Sequence, residues 1–324
     1  MLKVQVRRAG DLFDLGGGVD VDGKEVPLAT LLEAVRAGRR FVQVTPTRFA
    51  RIEKSLRDRL EKTSDALLVQ GKNKDVVSVG IAQAEIVDEL VDDLGEIEAD
   101  DEWRQVLDRM REPSSLAPDK PEELDAELRD YQLDGFRWMA RLGSWGAGAC
   151  LADEMGLGKT VQALAMLLRR KDEGPALVVA PTSVMENWSD ETRRFAPSLE
   201  VRLYHGPKRA SELEDLGPGV VLLTSYDVLA RDGAVLSEPI FGTVVLDEAQ
   251  AIKNARTQRA KAARQLQAKW RLALTGTPLE NHLGELWSLF RVISPGLLGP
   301  WAHFREHFAL PIERDGDREV REKL

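Results

Sequence analysis

A single cysteine in 324 residues, Cys150, rules out a disulfide within the chain. It falls in an apolar run, where a thiol packs as a small hydrophobe, and such usage fits a reducing cytoplasm. No apolar stretch approaches the roughly 18 residues that a membrane-spanning helix requires. The N-terminus lacks the apolar core of a secretory leader. A cytoplasmic protein is expected, nucleoid-associated if the source is prokaryotic, with no membrane partner. Histidine is scarce as well, and His205, His282, His303 and His307 show no shared role. His303 and His307 stand at i and i+4 of an expected helix, but two ligands without a third do not make a metal site. Basic residues are outnumbered, 45 Lys and Arg against 54 Asp and Glu, for a net charge of −9. That balance argues against nucleic-acid binding by the whole surface and leaves a local basic face open.

Apolar residues make up 43% of the chain and charged residues 31%, enough for a sizeable core, and the length allows two domains. The first is expected over residues 1–118. Residues 19–26 read as a hairpin turning at Asp22-Gly23, and residues 27–37 as a helix that stops at Gly38. Residues 41–45 alternate like a strand. Residues 47–62 read as an amphipathic helix through Phe49, Ile52, Leu56 and Leu60, and residues 76–81 as a further apolar piece. No recognisable chemistry is carried there. Residues 85–102 are strongly acidic, interleaved with Ile86, Leu90, Leu94 and Ile97, and read as a solvated helix. The sharper alternative is an acidic mimic that occupies a DNA site. Pro113, Pro118 and Pro121 mark a linker.

Chemistry enters at residues 151–160. The run Leu151-Ala-Asp-Glu-Met-Gly-Leu-Gly-Lys-Thr160 ends as a phosphate-binding loop ends, with Gly158, Lys159 and Thr160 opening an apolar helix. Gly156 and Gly158 permit a tight turn that brings bare N–H groups up to phosphate oxygens. The helix start adds unpaired N–H groups and the positive end of its dipole. Lys159 suits the β- and γ-phosphates of a nucleotide, and the Thr160 hydroxyl suits its Mg²⁺. Asp153 stands where the general pattern has its first glycine, so the loop alone is an incomplete match.

Short apolar runs at 176–180, 220–224, 243–246 and 271–275 alternate with helical stretches at 128–139, 185–195, 256–267 and 284–293. Such alternation indicates a parallel sheet covered on both faces, with its ligand site at the carboxyl ends of the strands. Polar motifs fall at those ends. Asp247 and Glu248 close the third run, Asp247 placed to hold Mg²⁺ and Glu248 to orient and deprotonate an attacking water. Thr275-Gly-Thr-Pro278 closes the fourth, with the Thr275 and Thr277 hydroxyls positioned to bond the carboxylates and sense a γ-phosphate. Trp188 and Trp287 are expected in the core. Residues 253–271 carry Arg256, Arg259, Lys261, Arg264 and Lys269 without an acid. A solvated basic helix is the default there, and a phosphate-tracking face the alternative.

In this order the elements resemble the superfamily-two helicase-like ATPases, and within them the SWI/SNF-type DNA translocases. Arg129-Asp-Tyr-Gln132 is similar to the adenine-reading motif, and Asp153-Glu-Met-Gly-Leu-Gly-Lys-Thr160 to this branch's own phosphate loop. Ala180-Pro-Thr-Ser-Val-Met-Glu-Asn-Trp188 resembles motif Ia, and Thr224-Ser-Tyr226 resembles motif Ib. Asp247-Glu-Ala-Gln250 with Ile252-Lys-Asn254 is similar to motif II, and Thr275-Gly-Thr-Pro278 to motif III. Glu285-Leu-Trp-Ser-Leu-Phe290 with Pro295-Gly-Leu-Leu298 resembles the segment that follows. The likeness covers residues 121–324.

The resemblance implies an α/β fold, a RecA-like P-loop lobe over residues 119–324 with a mostly parallel central sheet. A smaller α+β accessory domain over 1–118 would precede it. It implies ATP and Mg²⁺ as cofactors, with Arg129, Gln132 and residues 153–160 (Asp153, Glu154, Met155, Gly156, Leu157, Gly158, Lys159, Thr160) around the nucleotide. Thr160 and Asp247 would hold the metal, and Lys159, Asp247 and Glu248 would carry catalysis. Thr182, Ser183, Thr224 and Ser225 would meet DNA phosphates, a kit for positioning without reading sequence. Gln250, Thr275, Gly276 and Thr277 would couple nucleotide state to motion. Gln250 departs from the family, many of whose members carry His there. Double-stranded DNA and a second RecA-like lobe supplying arginine fingers are the implied partners. No second set of motifs stands in these 324 residues, so the chain alone is expected to bind ATP weakly and hydrolyse it slowly. Two other readings stay open: a non-catalytic ATP- or DNA-binding regulatory module, and a strand-separating helicase.

Overall fold

The apolar runs of the second half form a six-stranded, all-parallel sheet in the computed structural model, which describes residues 2–64, 75–92, 95–111 and 117–324. Its order is Glu200–Leu203, Val220–Ser225, Ala176–Ala180, Thr243–Leu246, Arg271–Leu274, Ala149–Leu151. Successive residues of the central strands point to opposite faces, and both faces are buried. Leu177 and Val179 join one core with Leu229, Phe241 and Leu289, while Val178 and Ala180 join the other with Phe136, Leu164 and Trp188. That is why these strands read as unbroken apolar runs rather than alternating ones. Helices Asp130–Trp145, Lys159–Arg169 and Met185–Phe195 cover one face, and Tyr226–Leu236, Gln258–Gln265 and Leu283–Ile293 the other. The two edge strands are not legible as such: Ala149–Leu151 has three residues, and Glu200–Leu203 alternates charged and apolar residues over only four.

Residues 113–294 make up this compact unit, and residues 1–112 together with 295–324 make up a second. In the second unit Lys24–Pro27, Leu12–Val21, Leu2–Ala9 and Gly95–Ala99 lie side by side, and Val77–Val79 also pairs with Leu12–Val21. Asp22 and Gly23 both take positive φ, 52° and 79°, as a two-residue hairpin turn requires. Helices Leu28–Arg36, Ala84–Asp92 and Asp101–Arg111 close over the sheet, and Phe13 meets the Trp103 ring edge-on at 4.9 Å. Residues 295–324 join this unit, where the Gln83 amide donates to the Gly296 and Leu297 carbonyls at 3.2 and 3.1 Å.

Two expectations need correction here. The helix expected over 47–62 begins only at Lys54, because Arg48–Arg51 is a strand paired with Phe41–Thr45 across the turn at Pro46. Phe49 therefore stands on a ribbon, outside the helical apolar face. The acidic stretch is not one helix either. Helix Ala84–Asp92 gives way to strand Gly95–Ala99, parallel to Leu2–Ala9, before helix Asp101–Arg111 begins. Gly95 marks the change, since a Cβ there would sit 1.7 Å from the Leu2 carbonyl oxygen. Glu96 and Glu98 occupy the strand's exposed positions, so the acids follow a period of two. Leu94 and most of the linker, residues 112–116, lie outside the described residues.

Candidate active site

Three loops meet because three strands lie side by side. The strand ending at Leu246 pairs with the one ending at Leu274, which pairs in turn with the one ending at Leu151. Their carboxyl ends deliver Asp247-Glu248, Thr275-Gly276-Thr277 and the phosphate loop to one rim. The Thr275 N–H donates to the Leu151 carbonyl at 3.1 Å, which fixes the third loop against the first.

The phosphate loop takes the conformation that its glycines allow. Gly156 and Gly158 have φ of 84° and 75°, and helix Lys159–Arg169 starts directly after. Lys159 folds back so that its ammonium donates to the Asp153 and Glu154 carbonyls at 2.7 and 3.0 Å. A phosphate entering the loop would take over that ammonium. Gln132, buried on helix Asp130–Trp145, ties that helix to the loop: its Nε2 donates to the Leu157 carbonyl at 3.0 Å and its Oε1 accepts from the Arg129 N–H at 2.9 Å. An amide has two N–H donors and two lone pairs, so one of each remains for an adenine edge. Met155 and Leu157 project outward, Met155 with 79% of its surface exposed.

Asp247 is held through both of its carboxylate oxygens. Its Oδ2 accepts from the Trp188 indole N–H at 2.8 Å and its Oδ1 from the Glu248 N–H at 2.9 Å. Tyr226, a buried phenol, donates to its backbone carbonyl at 2.8 Å. Burial raises the Asp247 carboxyl above its ordinary value, against the pull of the Trp188 and Glu248 donors and of the Lys159 ammonium. The Tyr226 phenol is pushed well above its usual range, first by burial and then by the Asp247 and Glu248 charges, so it acts as a fixed donor.

The donor set fits a hard cation. A carboxylate, a hydroxyl at the start of the loop helix and nucleotide phosphates are what Mg²⁺ takes. Asp247 and Thr160 would hold it, and it would neutralise charge on the phosphates.

Glu248 sits at φ 47°, ψ 54°, a left-handed conformation that costs a non-glycine residue about 1–2 kcal/mol. Its Oε2 accepts from the Gln250 amide at 2.7 Å, and Gln250 Oε1 accepts from the Thr275 hydroxyl at 2.9 Å. Gln250 therefore bridges the second and third motifs. This corrects the expectation that Thr275 and Thr277 bond the site's carboxylates directly. Thr275 reaches Glu248 through Gln250, and the Thr277 hydroxyl donates to Glu280 at 2.9 Å.

The Thr275–Asn281 loop is held from behind by Glu285. That carboxylate accepts from the Glu280 and Asn281 N–H groups at 3.0 and 3.1 Å and from the Asn281 amide at 2.9 Å. Lys253 pairs with both Glu280 and Glu285. Burial by itself would raise the Glu285 carboxyl, but the Asn281 amide, the two N–H groups and Lys253 outweigh it and bring it down to about 2. A depressed carboxyl stabilises the fold above its unfolded value of about 4.3, and that stabilisation is lost as pH falls toward about 2. Glu285→Gln is expected to lower stability at neutral pH and to flatten the loss of stability between about pH 4 and 2. Urea midpoints across that range check it, and parallel curves for the two proteins would count against it.

The DNA-facing residues divide. Thr182 and Ser183 are exposed in the turn between strand Ala176–Ala180 and helix Met185–Phe195. Thr224 is fully buried, and its hydroxyl donates to the Tyr204 carbonyl at 3.0 Å. Ser225 is buried too, its oxygen capping helix Tyr226–Leu236 by accepting the Val228 N–H at 3.3 Å. Both hydroxyls are engaged within the protein at the end of the strand. In the basic stretch Arg259 pairs with Asp227 and Lys269 with Glu173, while Arg256, Lys261 and Arg264 are exposed. Trp287 is buried, as expected. Trp188 is buried as well, but its bond to Asp247 goes beyond the core role expected of it. The signal was available: a buried indole N–H needs an acceptor, and the lobe has a strand-ending acid.

A glycine-bearing loop at one strand end, and an Asp-Glu pair at another on the same rim, define a P-loop nucleotide-binding lobe. Residues 131–324 match the SNF2-related domain, and the chain belongs to that family. It is 46% identical over 200 residues to the putative ATP-dependent helicase/translocase YwqA of Bacillus subtilis, covering 59% of this chain and 21% of that protein. It is 38% identical over 227 residues to the TATA-binding protein-associated factor MOT1 of Saccharomyces cerevisiae, covering 64% of this chain and 12% of that one. The SWI2/SNF2 ATPase core of Sulfolobus solfataricus in complex with dsDNA superposes with a TM-score of 0.59 at 42% identity, over 64% of this chain and 44% of that chain. The parallel-sheet unit is thus the RecA-like lobe of an SNF2 ATPase core. The chain spans about a fifth or less of the curated relatives it matches.

Proposed function

We propose that this chain is the ATP-binding motor lobe of a double-stranded-DNA translocase that remodels protein–DNA complexes, with a second RecA-like lobe completing the site. The observation that carries the reading is the delivery of Lys159 and Asp247 to one rim by strands that flank Arg271–Leu274, with Glu248 linked through Gln250 to Thr275. The first pair can grip the triphosphate, and the relay can pass its state to the third motif. Lys159 and Thr160 bind phosphates, Asp247 the metal, Gln132 the adenine. Glu248 can take a proton from the attacking water while Gln250 holds its carboxylate in place. The dsDNA-bound Sulfolobus relative supports duplex DNA as the track. Thr182 and Ser183 remain the candidate phosphate donors.

The test uses the full-length protein with triplex and forked substrates. Release of a third strand, driven by ATP, without separation of the duplex is expected. Separation of the fork instead would favour a helicase. Absence of hydrolysis with or without DNA would favour a non-catalytic regulatory module.

A further inference from the structure

We propose that the ribbon formed by Phe41–Thr45 and Arg48–Arg51 binds single-stranded DNA, with unpaired bases stacked on Phe41 and Phe49 and phosphates held by Arg39, Arg40 and Arg51. Residues 1–118 are expected to carry no recognisable chemistry, and the surface of the second unit holds an exception. Between Ala34 and Ile52 the sequence has five arginines and no acid, in a chain whose net charge is −9. Phe41 and Phe49 stand within this window, 54% and 62% exposed.

The register places the two rings together. Phe41 faces Arg51 and Gln43 faces Phe49, so Phe41, Gln43, Phe49 and Arg51 share one face and the two phenylalanines are diagonal neighbours. Diagonal positions lie about 7–8 Å apart, which gives each ring room for a base. Val42 belongs to the buried core and Ala50 packs against it, so the ribbon is anchored by its back. The Gln43 amide braces the turn by donating to the Pro46 carbonyl at 3.2 Å, and the Ile52 N–H donates to the Arg40 carbonyl at 2.9 Å. Arg48 is paired with Asp22. Among the described residues Arg39, Arg40 and Arg51 have no acidic partner, and all three are exposed.

Exposed aromatics between unpaired arginines on a braced strand pair form a stacking platform in an electropositive setting, the physical requirement for binding single strands without reading sequence. A duplex offers the arginines its phosphates but hides its base faces from the rings. An acidic peptide would satisfy the arginines and leave both rings in water. The choice of DNA over RNA rests on the motor function proposed above, since a DNA track is where unpaired DNA would be met.

The test is fluorescence anisotropy of a labelled oligothymidine of about 15 nucleotides, within the span of known single-strand sites, added to the chain without nucleotide. Binding to the wild type is expected, weakened about 10–100-fold in Phe41→Ala/Phe49→Ala and largely kept in Phe41→Tyr/Phe49→Tyr. Arg39→Gln/Arg40→Gln/Arg51→Gln is expected to reduce the slope of log K against log salt by about 2. Photocrosslinking of wild-type chain to an iododeoxyuridine oligomer is expected to mark Phe41 or Phe49, a readout independent of how the variants fold. Equal binding by the alanine pair, crosslinks elsewhere, or preference for duplex DNA or for RNA of the same sequence would overturn the proposal. If duplex DNA still stimulates the full-length protein in that event, the ribbon reading falls and the motor reading stands. If the oligomer binds the ribbon while duplex DNA has no effect on hydrolysis, the reverse holds.

Discussion

Residues 1–324 produced alone are expected to hydrolyse ATP about 10³–10⁵-fold more slowly than the same residues supplied with a second RecA-like lobe, the factor that an arginine finger contributes. Every group read as catalytic comes from one sheet. Lys159 and Thr160 follow strand Ala149–Leu151, Asp247 and Glu248 follow Thr243–Leu246, and Thr275 follows Arg271–Leu274. These groups can bind the triphosphate from one side. The charge that spreads over the γ-phosphoryl oxygens during transfer also needs cations from the other side, and the cation acting at Asp247 here is Lys159. Lys159 itself rests on the Asp153 and Glu154 carbonyls, so nucleotide must first displace those bonds, which weakens binding by the lobe alone. Phosphate release at saturating Mg·ATP and duplex DNA, with and without a separately produced second lobe, checks this. Turnover of several per second by residues 1–324 alone would contradict it.

Legibility in the sequence followed the physics of burial. Strands buried on both faces, such as Ala176–Ala180 and Thr243–Leu246, announce themselves as apolar runs, and the polar residues after them could be assigned to the rim with no side-chain geometry. The phosphate loop was legible because its glycines answer a backbone demand, confirmed by positive φ at Gly156 and Gly158. Short edge strands carry no such signal. The second unit is harder to read. In residues 85–102 a helix gives way to a strand with acids at its exposed positions, and only pairing with Leu2–Ala9 separates the two. In residues 47–62 the apolar spacing of Phe49 with Ile52 imitates a helix, and the turn at Pro46 overrides it. Side-chain partnerships between distant motifs were least legible. Trp188 with Asp247, and Gln250 between Glu248 and Thr275, join residues far apart in sequence, and residue type alone states no direction. The same holds for Thr224 and Ser225, whose hydroxyls turn inward to satisfy the strand end.

Glu248→Gln in the full-length protein is expected to lower the hydrolysis rate about 10²–10⁴-fold while leaving nucleotide affinity nearly unchanged, the range over which a positioned base acts. The substitution keeps the size and shape of the side chain and one oxygen for the Gln250 amide, so the relay to Thr275 can persist. It removes the group that accepts the water's proton. Lys159, Thr160 and Asp247 are untouched, and they are the residues read as binding phosphates and metal. The effect therefore belongs in kcat and not in affinity. The backbone adds a reason to expect function at this position. Glu248 holds a left-handed conformation, with strain of about 1–2 kcal/mol, in a turn where glycine or asparagine would rest at lower cost. If Glu248 were only a turn residue, Glu248→Gly would relieve that strain and leave the rate intact. If Glu248 serves the water, Glu248→Gly should lose the rate as Glu248→Gln does, whatever it does to stability. Single-turnover hydrolysis and nucleotide binding on the three proteins separate these cases. A Glu248→Gln rate within threefold of the wild type would remove Glu248 from the chemistry.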